Sequence, residues 1–126
     1  MPVYRRMTGA LTIIVATGDP ERLHAALTFA AASSAIGTAT KLHLHEGAVP
    51  LLRAPMLAPM DEKRSAAGLP TLAQIYGEAL GLGVNVTVCQ SGLALAGLTI
   101  DSLEGTAEAQ GPIGVLADAD SRLLVF

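Results

Sequence analysis

The stretch Gly83–Gly97, GVNVTVCQSGLALAG, decides how the rest of the chain reads. It opens on Val84-Asn85-Val86-Thr87-Val88, where valines alternate with polar residues in the period-two pattern of a strand. After Cys89 the composition changes to Gly, Leu and Ala, and Leu93–Leu98 predicts a helix. The chain's one cysteine therefore stands where a strand hands over to a helix. In open α/β sheets the carboxyl ends of strands gather ligands and reacting groups. A thiol there faces the unpaired N–H groups of the next helix, which favour a thiolate.

Upstream of that stretch, Pro70–Leu82 (PTLAQIYGEALGL) places Leu72, Ile75, Tyr76, Ala79 and Leu80 on one stripe, a helix ended by Gly81 and Gly83. Near the start, Leu11–Ala16 (LTIIVA) is a continuous apolar run of strand length, as a strand covered on both faces requires. Asp19 as N-cap, Pro20 at the first helical position and Glu21 in the first turn then start a helix. Leu23, Leu27, Ala30, Ala31 and Ser34 keep helical spacing, and Gly37 closes it. Thr38–His45 (TATKLHLH) reads as a second strand, with Leu42 and Leu44 on one face and His43 and His45 on the other. Strand, helix and strand at this spacing form a βαβ unit with parallel strands. The helix Pro70–Leu82 leads into the Cys89 strand and makes a second crossover.

Glu46–Leu69 is the least regular segment, with Pro50, Pro55, Pro59 and the charged run Asp61-Glu62-Lys63-Arg64. A connection this long is a lid, an interface element or a mobile surface loop. It has room for a short helical piece around Val49–Arg53. Asp101–Gln110 reads as a turn or short helix. Gly111–Ser121 holds a final helix beginning at Pro112, and Leu123–Phe126 (LLVF) is a terminal strand. The expectation is a single domain over 1–126, of α/β class, with about four strands and four or five helices.

Composition narrows the function classes. Of 126 residues 51% are apolar and 15% charged, and the net charge of -3 gives no electrostatic case for nucleic acid or an anionic membrane surface. One cysteine excludes an internal disulfide, a CxxC pair and a cysteine-rich zinc site. The segment MPVYRRMTGA lacks the apolar core of a signal peptide, and no run approaches the ~20 apolar residues of a membrane span. A cytoplasmic protein is expected. So few charges leave apolar surface uncovered, which favours a closed homo-oligomer over a monomer.

Thr17, Gly18 and Asp19 end the first strand and are expected beside Cys89 at the top of the sheet. They suit an anion at a helix N-terminus, or more plainly a cap at Asp19. His43 and His45 share a strand face, so a neighbouring imidazole could steady the thiolate or move a proton. An HxH pair with Cys89 suggests a metal, but the sequence holds no confirming ligand spacing and no metal is assigned. His24 reads as a surface residue. Gln90, Ser91 and Gly92 would set N–H groups and a hydroxyl around the sulfur. Gly81 and Gly83 stand after a helix and before a strand, the wrong context for a dinucleotide fingerprint. Two readings of Cys89 stand on the residues alone: a reactive thiol, or a buried structural cysteine of a common kind.

The order LTIIVATGDPERLHAALTFAAAS, KLHLHEGAVPLLR, LAQIYGEALGLGVNVTVCQSGLALAGL and GVLADADSRLLVF resembles the DsrE/DsrF-like family, which includes the DsrE and TusD sulfur-relay proteins. The resemblance runs from Leu11 to Phe126. It implies a flavodoxin-like three-layer sandwich, a mostly parallel sheet with helices on both faces, assembled as trimers or hexamers. Sulfur-carrying members use one cysteine at the end of the strand after the long loop, here Cys89. Members without it exist, so the retained cysteine, rather than the fold, implies sulfane sulfur held as a persulfide. The partners implied are sulfur donor and acceptor proteins, and no bound cofactor is implied. The alternative is a non-catalytic oligomeric binding or assembly module with Cys89 buried.

Overall fold

Leu11–Val15 (β1) is the strand the apolar run predicts, and three of its residues, Leu11, Ile13 and Val15, point into the core. The computed structural model describes residues 9–117 and 121–126. Helix α1, Pro20–Ala35, starts as expected: the Asp19 carboxylate accepts from the N–H of Glu21, and Pro20 sits in the first turn. Its buried face is Leu23, Ala26, Leu27, Ala30, Ala31 and Ser33, where small residues let the helix axis approach the sheet. Leu23 and Leu27 are fully buried, and each contributes about 1.5–3 kcal/mol by leaving water.

Strand β2, Thr40–Leu44, pairs parallel with β1, and β3, Asn85–Val88, pairs parallel with β2. The 46–69 connection is built rather than loose. Glu46–Leu52 winds as a 3₁₀ segment with Ala48, Val49 and Leu52 buried, and Met56 and Ala58 join the core beyond it. A short helix, α2 (Asp61–Ala66), follows. Arg64 of α2 pairs with Glu21 of α1, while Asp61 accepts from the N–H groups of Ala58 and Leu72. The expected charged run is thus a clamp between elements. His24 is also more than a surface residue, since its Nε2 lies 3.0 Å from the Pro70 carbonyl oxygen.

Helix α3, Leu72–Gly81, begins later than Pro70 because Thr71 and Gln74 form a capping box. Helix α4 spans Gln90–Ala96 and so begins earlier than the expected Leu93; Cys89 itself is the N-cap, and Gly97 closes the helix at φ 65. Segment 101–110 holds a strand that composition hides, β4 (Glu108–Ala109), parallel to β3. Its register is carried by backbone pairing, and two exposed residues leave no apolar pattern to read. Helix α5 is Pro112–Leu116, and β5 is Arg122–Val125. Residues 118–120 of the expected Gly111–Ser121 helix lie outside the described residues.

The result is one five-stranded sheet, order β4-β3-β2-β1-β5, parallel in every pairing among the described residues, and the fold is flavodoxin-like α/β. The steps from β1 to β2, β2 to β3 and β3 to β4 all move one way across the sheet. Right-handed crossovers therefore place α1, α3 and α4 on one face, and the return from β4 to β5 places α5 on the other. The first face carries Ile13, Val15, Leu42, Leu44, Val86 and Val88, the centre of the core. The second carries Thr12, His43 and Thr87, all buried, with Leu123 and Val125 of β5 exposed. No helix among the described residues is long and apolar enough to cross a membrane.

Candidate functional site

Cys89 follows the last residue of β3 with extended backbone, φ -77 and ψ 146, and its N–H donates to the Leu44 carbonyl of β2. The turn into α4 aims the free N–H of Gly92 at the sulfur, 3.2 Å from Sγ. Serine, threonine or aspartate ordinarily fills this capping role through oxygen; here sulfur does. The Ser91 hydroxyl adds a donor at 3.3 Å. The shortest contact comes from 43 residues upstream, where the Glu46 N–H donates to Sγ at 2.9 Å. Among the described residues these three are the sulfur's hydrogen-bond partners.

Packing holds the donors in place. A Cβ on Gly92 would meet Val49 Cγ2 at 2.4 Å and the Glu46 carbonyl oxygen at 2.8 Å, so α4 sits directly on the 3₁₀ segment. Glu46 itself has φ 38, a left-handed conformation uncommon outside glycine. That bend turns the chain after β2 so that its N–H faces Cys89. A methyl on Gly18 would lie 2.8 Å from the Gly47 carbonyl oxygen, so the turn after β1 closes on the other side of the same bend. The sulfur ends up buried, with Cys89 only 3% exposed.

The remaining sequence candidates fall around this corner unevenly. Strand β2 lies between β1 and β3, so Thr17, Gly18 and Asp19 leave the sheet two strands from Cys89, with the Glu46-Gly47 bend between. All three are exposed, and the Asp19 carboxylate caps α1. Gln90 is exposed, and its side chain is not among the sulfur's partners. Leu44 pairs with Val88, so His45 and Cys89 leave the sheet side by side, His45 exposed. His43 does not share that rim. It is 3% exposed, and its Nδ1 lies 2.8 Å from Thr87 Oγ1 on the second sheet face. Burial, helped by the charges of His45 and Lys41, pushes its pKa down to about 4, so the imidazole is neutral at neutral pH. No group of three or more His, Cys, Asp or Glu among the described residues is placed to hold a metal.

The Glu46 N–H is the participant that sequence reasoning missed. Its one trace in the sequence is the Glu46-Gly47 pair directly after β2, a turn signal with no sign of its target. The connection after β3 goes to one sheet face and that after β4 to the other, so the topological switch point lies between β3 and β4. Ligands in open α/β sheets collect at such a point, and Cys89 stands on its edge.

No protein-family model matches the chain, and no curated protein matches it in sequence. Among solved structures, the chain resembles the crystal structure of the YchN protein from E. coli, with TM-score 0.70 and 20% identity over 93% of this chain and 99% of that one. It also resembles MTH1491, a protein of unknown function from Methanobacterium thermoautotrophicum, with TM-score 0.67 and 14% identity over 94% of this chain and 99% of that one. At these identities the likeness speaks for the fold.

Proposed function

We propose that this protein is a DsrE-type sulfur-relay protein that carries sulfane sulfur on Cys89 in the cytoplasm, as a single α/β domain without a bound cofactor. The observation that carries the reading is the convergence of Glu46 N–H, Gly92 N–H and Ser91 hydroxyl on one sulfur at a strand's carboxyl end. Donors so arranged stabilise negative charge on sulfur, the form that attacks. In the loading step the Cys89 thiolate attacks the sulfane sulfur of a donor persulfide. A new S–S bond forms, the donor's S–S bond breaks, and its thiolate leaves with the electron pair. In the unloading step an acceptor thiolate attacks the outer sulfur and Cys89 leaves as thiolate, so no net oxidation occurs. A chain with one cysteine has no second thiol to divert the persulfide into an internal disulfide.

At 3% exposure the sulfur must be uncovered before it reacts. The Glu46 N–H lies against it, so on this reading a donor protein would shift the Glu46-Gly47 bend. Thr17, Gly18, His45 and Gln90 would form the rim that meets it.

The reading includes a homo-oligomer, trimer or hexamer. It is supported by the second sheet face, where Leu123 and Val125 are 48% and 63% exposed and α5 leaves Ile113 at 86%. Burial also favours a second reading, a non-catalytic oligomeric binding module in which Cys89 is only the cap of α4.

Mass spectrometry of native protein treated with glutathione persulfide separates the two. The relay reading expects the mass of one added sulfur, lost on reduction and absent from Cys89→Ser. No adduct on native protein would leave the binding module as the answer.

A further inference from the structure

Away from Cys89, α3 carries a glycine that packing does not explain. Gly77 is in the helix interior, where glycine is costly relative to alanine. A Cβ there would meet nothing within 4 Å among the described residues, so none of them demands its absence. The space above it belongs to a cleft of about 520 Å³ between α3, the Pro55–Leu57 turn and the Glu104-Gly105 loop. That volume lies within the range of small-molecule sites, which are mostly apolar with a few polar groups that orient the ligand.

The walls are alanine, proline, methionine and leucine, and two polar side chains interrupt them. One is Tyr76, whose hydroxyl donates to the Glu104 carbonyl oxygen at 2.7 Å and is thereby committed. The other is Glu104, the one charged residue among the described residues that line the cleft. Burial and then the nearby Glu104 charge push the Tyr76 pKa up to about 12, so the phenol stays neutral and the carboxylate alone supplies charge. Leu57, 68% exposed, is an apolar lining residue of the cleft that the described residues leave largely uncovered. Gly105, at φ 78, has its missing Cβ 2.7 Å from the Tyr76 hydroxyl, which fixes the loop that presents Glu104.

We infer that this cleft binds a small molecule with an apolar body and one cationic group, an aralkyl or alkyl amine, whose body lies over Gly77 and whose charge faces Glu104. The assignment rests on volume, apolar walls and a single carboxylate, and is independent of what Cys89 does.

The test uses phenethylamine, with phenethyl alcohol and phenylacetate as neutral and anionic counterparts, titrated into the ¹⁵N-labelled protein. The amine is expected to bind with a dissociation constant on the order of 1 mM, shifting the amides of Gly77, Gly105 and Leu57. Phenylacetate should bind more weakly than the alcohol. Glu104→Gln should weaken the amine about three- to fivefold while leaving the alcohol unchanged. Gly77→Leu fills the cleft and should abolish both sets of shifts without lowering the thermal midpoint. Absence of shifts at these amides, equal binding of amine and carboxylate, or binding that survives Gly77→Leu would each overturn the assignment.

Discussion

Two glycines on two helices of the same sheet face show opposite uses of a missing side chain. Gly92, at the start of α4, lets two elements meet: an added methyl would lie 2.4 Å from Val49. At Gly77, in the middle of α3, an added Cβ would meet nothing within 4 Å among the described residues, and a cleft stays open there. Around Gly92 the chain closes over a sulfur and brings three donors to it. Around Gly77 it stays open to solvent beside a carboxylate. The closed corner depends on contacts between segments far apart in sequence, whereas the open cleft depends on what the chain leaves out.

Substituting each glycine breaks the comparison most directly. Gly92→Ala is expected to lose about 3 kcal/mol, because backbone atoms of Glu46 on one side and Val49 on the other cannot both withdraw. Denaturant unfolding measures it, and a loss under about 1 kcal/mol would mean the corner is softer than described. Gly77→Ala should instead gain about 0.5–1 kcal/mol, the helix-propensity difference with no packing cost.

Buried His43, on the second sheet face away from both glycines, gives the fold a pH dependence. The unfolded chain takes up a proton near pH 6.5 and the folded chain near 4, so acid favours unfolding within that window. Stability attributable to this group is full above about pH 6.5, falls as pH drops, and stops falling below about pH 4, for a total on the order of 3 kcal/mol. Urea unfolding across that range should show the slope, and His43→Gln should flatten it. An unchanged slope would place the titration elsewhere.

The smallest effect on folding is expected at the second sheet face. Val125→Lys puts a charge on a residue already 63% exposed and should change stability by no more than about 0.5 kcal/mol. Sedimentation should nevertheless register it as a shift to smaller species, if this face joins copies of the chain. A monomer before and after the substitution would remove the oligomer from the proposal.

Local patterns were legible in the sequence where one element carries its own signal. The apolar run of β1, the Asp19-Pro20-Glu21 start of α1 and the stripe of α3 each describe a single segment and its burial. What stayed hidden depends on two segments at once. Strand β4 is two exposed residues defined by their pairing with Thr87 and Val88, and no periodicity survives at that length. The charged run Asp61-Glu62-Lys63-Arg64 showed no sign of the clamp, because the partner of Arg64, Glu21, is 43 residues away. Of the candidate site, Cys89 and the donors next to it in sequence could be read, while the Glu46 N–H could not. His43 and His45 shared a face in the pattern, yet the strand ends between them, leaving one buried and one exposed.

As proposed, Cys89 is reached by a local shift of the Glu46-Gly47 bend in an otherwise folded protein. Alkylation of the native thiol, followed across low concentrations of urea, tests it most directly. Labelling is expected without denaturant at a rate nearly independent of urea, since a local opening exposes little surface. Labelling that rises with the full denaturant dependence of global unfolding would contradict it, and would make Cys89 a structural cap and nothing more.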